Sequence, residues 1–444
     1  MKQEIKLSDH FTYGRLLKFT LPSIVMMIFT SVYGVVDGFF VSNFVGKTPF
    51  AAVNFIMPFL MILGALGFMF GTGGSALVSC TLGEGRPEKA NRIFSMLVYI
   101  SLALGLGIAV LGIWFLPAVA KLLGAQGQLL ADCVLYGRVV LIGLPGFILQ
   151  MEFQSFFITA EKPKLGLAVT VASGAANMVL DALLVGLIPM GLVGAALATA
   201  VSQLIGGFVP FIYFARKNTS LLRLVKTDFD GKALAKTCTN GSSELMSNIS
   251  MSLVGMLYNI QLLAFAGENG VAAYGTMMYV NMIFLAAFIG YSIGTAPVVG
   301  FHYGAQNHKE LRGLLRKSSV IIVAFSVSML GAALALASPL AQLFVGYDPE
   351  LFALTVSGFR IFAVSFLFAG FAIFFSGFFT ALNDGLTSAL ISFLRTLVFQ
   401  VAAVLLLPLI WGIDGIWWSI AGAELMAVLV GAVFLIGKRK KYHY

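Results

Sequence analysis

The chain alternates long apolar stretches with short polar breaks. A helix needs about 20 apolar residues to cross the hydrocarbon core of a bilayer, and an open sheet cannot cross it, because every backbone N–H and C=O there must be bonded within the structure. Reading from each break to the next predicts twelve spans, at about 16–40, 50–80, 93–116, 134–159, 165–187, 192–214, 238–266, 271–301, 317–337, 353–380, 386–408 and 413–436. The tightest connections fall at Pro189-Met190-Gly191 and Trp411-Gly412. The predicted fold class is all-α and integral to the membrane.

Charge sorts the breaks. Assigned alternately to two sides from the N-terminus, one side collects Lys2, Lys6, Arg15 and Lys18, then Arg86, Lys89 and Arg92, then Lys162 and Lys164. The long middle loop adds Arg216, Lys217, Arg223, Lys226, Lys232 and Lys236. Lys309, Arg312, Arg316, Lys317 and the tail Lys438-Arg439-Lys440-Lys441 complete that side, while the other holds only Lys47 and Lys121. The split is 23 to 2. Basic residues collect in cytoplasmic loops, so both termini and the middle loop are expected in the cytoplasm, with the chain multi-pass in a bacterial cytoplasmic membrane.

The middle loop, 215–237, divides the spans into two sixes: an N-lobe (1–214) and a C-lobe (238–444) with a basic tail. A shift of 221 residues lays one on the other. Ala51-Ala52 falls on Ala272-Ala273, Gly73 on Gly294, Val78 on Val299 and Gly83 on Gly304. Phe157, Thr159 and Ala160 fall on Phe378, Thr380 and Ala381, and Gly191 and Gly194 on Gly412 and Gly415. Six spans per half is an even number, so the repeats run parallel about an axis along the membrane normal, around a central cavity. Duplicated bundles of this kind are typical of transporters.

Composition narrows the classes. Of 444 residues, 59% are hydrophobic and 11% charged, against about 25% charged in soluble proteins. That excludes a cytosolic enzyme, a secreted disulfide scaffold and a disordered chain. The net charge of +9 belongs to the loops, and no nucleic-acid partner is expected. Cys80, Cys133 and Cys238 form no C-x-x-C, so no disulfide framework or metal site follows. No H-E-x-x-H, G-x-S-x-G or Walker A sequence occurs; Gly71-Thr72-Gly73-Gly74-Ser75 lacks the G-K-[ST] of a phosphate loop. Without ATP chemistry, an ion gradient or facilitated diffusion remains.

An ionisable side chain at the bilayer centre costs roughly 2.5–3.5 kcal/mol on insertion scales, so each one is a functional candidate. Asp37, Glu152, Asp181, Glu244, Arg360, Arg395 and Glu424 fall in spans. Tyr33 and Asp37 are four residues apart in span 1, and Asn177 and Asp181 four apart in span 5, so each pair shares a helical face. Two acids converging in a dry bundle can load a proton, or hold a dehydrated sodium ion with Asn and Thr oxygens. Pro22, fifteen residues before Asp37, frees a carbonyl and allows span 1 to bend. Glu152 and Gln154 in span 4 and Glu244 at the start of span 7 are candidate cavity residues. Arg395 is a further one, and it is also placed to pair with Glu424. Arg360, near a span end, snorkels. Met251, Met256, Met277, Met278 and Met282 are candidates for a plastic wall receiving flat, greasy cations. Gly67-x-x-x-Gly71 and Gly290-x-x-x-Gly294 suit close helix packing.

These residues also carry a family resemblance. Val36-Asp37-Gly38-Phe39-Phe40-Val41 at the end of span 1 and Gly83-Glu84-Gly85-Arg86-Pro87 after span 2 resemble the multidrug and toxic compound extrusion (MATE) family. So do Ala160-Glu161-Lys162-Pro163-Lys164 after span 4 and Gly304-Ala305-Gln306-Asn307 after span 8, and the resemblance covers about residues 10–436. It implies an antiporter expelling cationic or amphipathic organic compounds in exchange for protons or sodium, a monomer in the lipid bilayer, with no cofactor beyond the coupling ion. The prokaryotic DNA-damage-inducible type uses an N-lobe cluster, which Pro22, Tyr33, Asp37, Asn177, Asp181 and Thr199 match in order and spacing. Sodium is then implied at Asp37, Asn177, Asp181 and Thr199. Other branches place acids in the middle of spans 7 and 10; here Glu244 sits at the start of span 7 and span 10 has none. Gly241-Ser242-Ser243-Glu244 is similar to the bacterial multidrug subgroup. The alternatives are a flippase for lipid-linked sugars, which needs more buried cations than Arg360 and Arg395 supply, and a non-transporting sensor or scaffold, which needs no carboxylate cluster.

Overall fold

The computed structural model describes residues 5–444, apart from the side chains of Phe39, Ser42 and Lys47; Lys2 and the Lys47 side chain, both counted in the charge tally, lie outside the described residues. Apolar segments that must bond their own backbone become helices, and helix accounts for 89% of the structure with no strand among the described residues. The first six are α1 (Tyr13–Val45), α2 (Thr48–Gly83), α3 (Pro87–Leu122), α4 (Gly127–Thr159), α5 (Pro163–Leu187) and α6 (Gly191–Ala215). The stretch Gly231–Gly304 is two helices, α7 (231–266) and α8 (268–304), because Gly267 takes φ 60° and ψ −151° and turns the chain back. The Tyr258 and Tyr274 rings on either side of that turn stack 5.4 Å apart with planes 1° from parallel. Then come α9 (His308–Val345), α10 (Pro349–Ala381), α11 (Gly385–Trp411) and α12 (Ile413–Tyr442).

Each predicted span therefore falls on one helix. The two tightest connections are turns at Gly191 (φ 60°) and Gly412 (φ 57°), a left-handed conformation that glycine takes without steric cost. Gly191 and Gly412 lie 221 residues apart, and so do the turn glycines Gly46 and Gly267, so the chain reverses at the repeat spacing. Three helices contain a π turn: α1 at Val41–Val45, α5 at Ala182–Leu187 and α11 at Leu394–Val398. Such turns insert a residue and re-aim the side chains beside them.

The helices pack unevenly along their length. Toward the end away from the chain termini, the first six enclose one core around Ile56, Leu116, Tyr136 and Leu141. The last six enclose another around Tyr258, Met277, Phe362 and Trp417. At the terminal end one core spans both halves, with Leu7, Phe11, Phe19 and Ile24 packed among Phe288, Tyr291, Phe374 and Phe378, and a second, around Phe94, Phe153 and Phe214, reaches Ala233 and Phe301. Backbones meet there. A Cβ on Gly290 would lie 2.6 Å from Ile24 Cα, one on Gly83 2.0 Å from Phe301 O, and one on Gly304 2.0 Å from Cys80 O. Gly67 and Gly71 bring α2 as close to Ile148 and Glu152 of α4. Small residues are what allow helices to approach this closely in lipid. Hydrogen bonds cross the same seam: Phe11 N donates to Glu310 Oε1 (2.9 Å) and Asn383 Nδ2 to Ala76 O (3.4 Å). Buried cores thus span both halves at the terminal end, whereas beyond it each half has its own; a cleft between the halves belongs at the far end.

The seam is testable by cross-linking. A Cβ on Gly294 would lie 3.0 Å from Thr20 Cβ, about half an ångström short of the usual disulfide range of about 3.5–4.5 Å, a gap that a small shift of either helix closes. With Cys80, Cys133 and Cys238 replaced by serine, Thr20→Cys combined with Gly294→Cys is expected to lose both maleimide-reactive thiols on mild oxidation and regain them with reductant. Thiols that stay reactive throughout would show that α1 and α8 do not meet here.

Candidate functional site

In the first half, α1 carries Tyr33 and Asp37 on successive turns and α5 carries Asn177 and Asp181 on successive turns, both near the far end. Gly174 lets the two helices meet, since a Cβ there would sit 2.5 Å from Phe29 Cε1 and 3.0 Å from Tyr33 Cδ1. Asp37 consequently faces both Asp181 and Asn177, with Tyr33 beside it. Asp181 is fully buried and Asn177 nearly so. The π turns begin immediately after Asp181 and four residues after Asp37, so both acids stand where the helical register changes.

Thr199 joins the group from α6. Its hydroxyl donates to Ala195 O (3.1 Å) and faces the phenol of Tyr136 on α4, which also lies within the electrostatic reach of both acids. Tyr136 is fully buried and its hydroxyl points at Met57 Sδ, 3.9 Å away. Sequence reasoning missed this residue. The available signal was chemical: a tyrosine within an apolar span must place its hydroxyl against a polar partner.

Four atoms in this cluster have no hydrogen-bond partner among the described residues: Asp37 Oδ1, Asn177 Oδ1 and both carboxyl oxygens of Asp181. All are oxygens, the donors that a hard cation takes, and a proton shared between the acids also suits them. Two facing carboxylates repel in a dry bundle, and a bound cation or proton relieves that repulsion. The donor set thus fits sodium as well as a proton. Among the described residues there is no group of three or more His, Cys, Asp and Glu side chains able to hold a metal.

The second half has its own polar centre. Arg395, on the π turn of α11, pairs bidentately with Glu424 of α12: Nε to Oε2 and Nη2 to Oε1, both 2.8 Å. Glu244 of α7 faces the same guanidinium from across the bundle. Tyr258, farther along α7, has its hydroxyl held by Gln400 Oε1 and Ser419 Oγ, each at 2.7 Å.

The other candidates scatter. Glu152 is fully buried, backed by Gly71 of α2 and opposite Ser101 of α3, so it lies inside the first half rather than on a cavity wall. Gln154 is buried with both amide atoms unpartnered, one turn from Gln150, which donates to Ser173 Oγ at 3.4 Å. Met256 belongs to an exposed stripe with Leu253, Ile260 and Leu263. Met251 instead shares a face of α7 with Glu244 and Asn248. Met277 is buried in the second half's core, Met282 is exposed, and Met278 Sδ receives Asn281 Nδ2 at 3.9 Å. Arg360 is exposed, and Pro22 lies in the interior of α1 rather than in its first turn.

Comparison with known proteins places this geometry. The family model described as MatE matches residues 22–183 and again residues 245–405. The multidrug export protein MepA of Staphylococcus haemolyticus is 26% identical over 425 residues, covering 96% of this chain and 93% of that protein. MepA of Staphylococcus aureus is 23% identical over 424 residues, covering 95% and 93%. Among solved structures, an outward-facing multidrug resistance MATE transporter of the MOP superfamily superposes with a TM-score of 0.93 at 22% identity, covering 100% of this chain and 99% of that one. A MATE structure in complex with MaL6 gives 0.93 at 22%, covering 100% of both.

The α1–α5 approach generates a stability prediction. Gly174→Val drives methyl groups into Phe29 and Tyr33, and overpacking of this kind costs about 1–3 kcal/mol. Gly255→Val, at a position where a Cβ meets nothing within 4 Å, serves as the control. Thermal unfolding in detergent is expected to shift downward for the first and stay near wild type for the second.

Proposed function

The chain belongs to the MatE family of multidrug efflux transporters, and from that premise we propose that it is an antiporter expelling cationic or amphipathic organic compounds in exchange for protons or sodium ions. The observation that carries this reading is the pair Asp37 and Asp181, facing one another with four orphaned oxygens. The charge split of the loops supports cytoplasmic termini in a bacterial plasma membrane, so the cleft opens outward. We read the protein as working as a monomer.

The steps follow from the contacts. A compound enters between the halves from the cytoplasm or inner leaflet when they part at the seam, and leaves through the outward cleft. The coupling cation then binds between Asp37 and Asp181, assisted by Asn177, Thr199 and the hydroxyl of Tyr136. Binding draws α1 toward α5. The start of α1 is fixed to α8 through Ser23 and Ile24 against Gly290, and Pro22 interrupts the hydrogen bonding at that level. Strain on the outer part of α1 therefore reaches the seam. Cargo and cation exclude one another because they prefer different arrangements of the same helix, which is the differential affinity that coupling requires. A flippase for lipid-linked sugars would need free guanidinium groups for a pyrophosphate. Arg395 is already engaged by Glu424, and Arg360 is exposed, so that reading has no support in the cleft.

Reconstituted protein decides the matter. Asp37→Asn and Asp181→Asn are each expected to reduce gradient-driven dye transport in proteoliposomes at least tenfold. Tyr136→Phe removes a single hydroxyl, worth about 1 kcal/mol, and is expected to weaken apparent ion affinity about fivefold. Imposing a proton gradient alone and a sodium gradient alone identifies the ion. Undiminished transport by both Asn variants would falsify the assignment.

A further inference from the structure

The 221-residue shift that relates the halves lays Asp37 on Tyr258. The position that supplies a coupling acid in the first half thus holds, in the second, a neutral hydroxyl with two partners, Gln400 and Ser419. In the second half, Glu244, Arg395 and Glu424 are the charges that lie near one another within the spans. Arg395 and Glu424 cancel: their side chains are 15% and 6% exposed and joined by two hydrogen bonds of 2.8 Å. Glu244 is left over. Its carboxylate has no hydrogen-bond or ion-pair partner among the described residues; what it has is the field of Arg395, whose charge is already committed.

Glu244 is also well placed. One turn below it, a Cβ on Gly241 would lie 1.9 Å from Met69 O of α2, so the halves touch at that level. One turn above it is Asn248, whose amide donates to Glu244 O at 2.8 Å, and Met251 continues the same face with 65% of its surface exposed. Contact gives way to open wall over these turns, and Glu244, itself half-buried, stands at the floor of the cleft. An uncompensated carboxylate beneath a polar amide and an adaptable thioether suits an organic monocation: charge below, apolar contact above.

We propose that Glu244 receives the cationic group of the exported compound, and that Glu424 acts as a positioning residue by keeping Arg395 engaged so that Glu244 stays uncompensated. This rests on the reading of the cleft as a route for cationic compounds. Its distinctive consequence is one of charge count. The wall has a net charge of −1 because two acids share one guanidinium. Removing Glu424 leaves Glu244 in place but turns Arg395 on it, so cation binding is lost without touching the group that binds. Removing Arg395 and Glu424 together restores the count.

The experiment is equilibrium binding to the purified full-length protein in detergent at fixed pH with no ion gradient, using ethidium as the monocation and Nile red as a neutral dye. Glu244→Gln is expected to weaken ethidium at least tenfold and leave Nile red within twofold. Glu424→Gln is expected to do the same, and Arg395→Met combined with Glu424→Gln to return ethidium to within about threefold of wild type. Because Glu424→Gln opens a buried ion pair and threatens folding, Nile red binding and thermal unfolding report integrity, and Glu244→Gln, which breaks no pair, stands as an independent test. Wild-type ethidium affinity in Glu244→Gln overturns the proposal. So does a folded double variant that fails to recover, which would make the pair itself the binding group. Failure of wild-type protein to bind ethidium at all overturns the cargo reading and this proposal with it. The coupling role of Asp37 and Asp181 is judged separately, by transport.

Discussion

The structure depends on helices meeting backbone to backbone at the terminal end. In lipid, apolar side chains gain little from packing on one another rather than on acyl chains, so association rests on close fit and on polar contacts. Gly83 against Phe301 O, Gly304 against Cys80 O and Gly290 against Ile24 Cα supply the fit, and no bulkier residue permits it. Closure at this end forces separation at the other, because straight helices fixed together at one end and packed into two distinct cores farther along diverge. The cleft is thus a product of where the glycines are.

A duplicated chain need not have a duplicated chemistry. The turn glycines repeat at the 221-residue spacing, and the family model matches each half in turn, yet the polar groups have diverged. The first half concentrates negative charge with no resident cation, and four oxygens remain unpartnered. In the second half a tethered guanidinium neutralises one acid, and the counterpart of Asp37 is a hydrogen-bonded tyrosine. Burying two like charges is tolerable only if something positive arrives, whereas a pair with its own counter-ion waits for nothing. This asymmetry is what the proposed division of labour requires, with the first half taking up the ion and the second the cargo.

Much of the architecture was legible because membrane insertion leaves so few choices. Every long apolar run had to be helical, and even the reversal at Gly267 was marked by the polar run between spans 7 and 8. The i, i+4 spacing of Tyr33 with Asp37 and of Asn177 with Asp181 gave the faces of two helices, and the structure shows those faces turned together. What the sequence hid was rotational phase. A span that is apolar all round gives no clue to which side faces lipid, so Glu152, buried inside the first half, could not be told from a group in a cavity wall. Tyr136 was hidden for the same reason. The π turns at Val41, Ala182 and Leu394 were out of reach as well, since they arise from tertiary fit and leave no compositional mark. Arg395 with Glu424 was readable as a pair because two opposite charges within apolar spans have few other ways to be satisfied.

The position of Pro22 connects these themes. Residues on either side of it, Thr20 with Ser23 and Ile24, are pinned against Gly294 and Gly290 of α8, whereas Asp37, four helical turns on, belongs to the first half's site. A continuous helix would transmit any displacement of Asp37 as a rigid lever and would strain the seam in proportion to its length. An interior proline removes one hydrogen bond within the anchored stretch, so the compliant point of α1 lies inside the contact that keeps the halves together, and the segment from there to Asp37 moves as one piece. Coupling needs both a connection and some give. Placing the proline at the anchored end preserves the alignment of Tyr33, Asp37 and the facing residues of α5 while leaving the angle of the whole outer segment free to respond to what those residues bind.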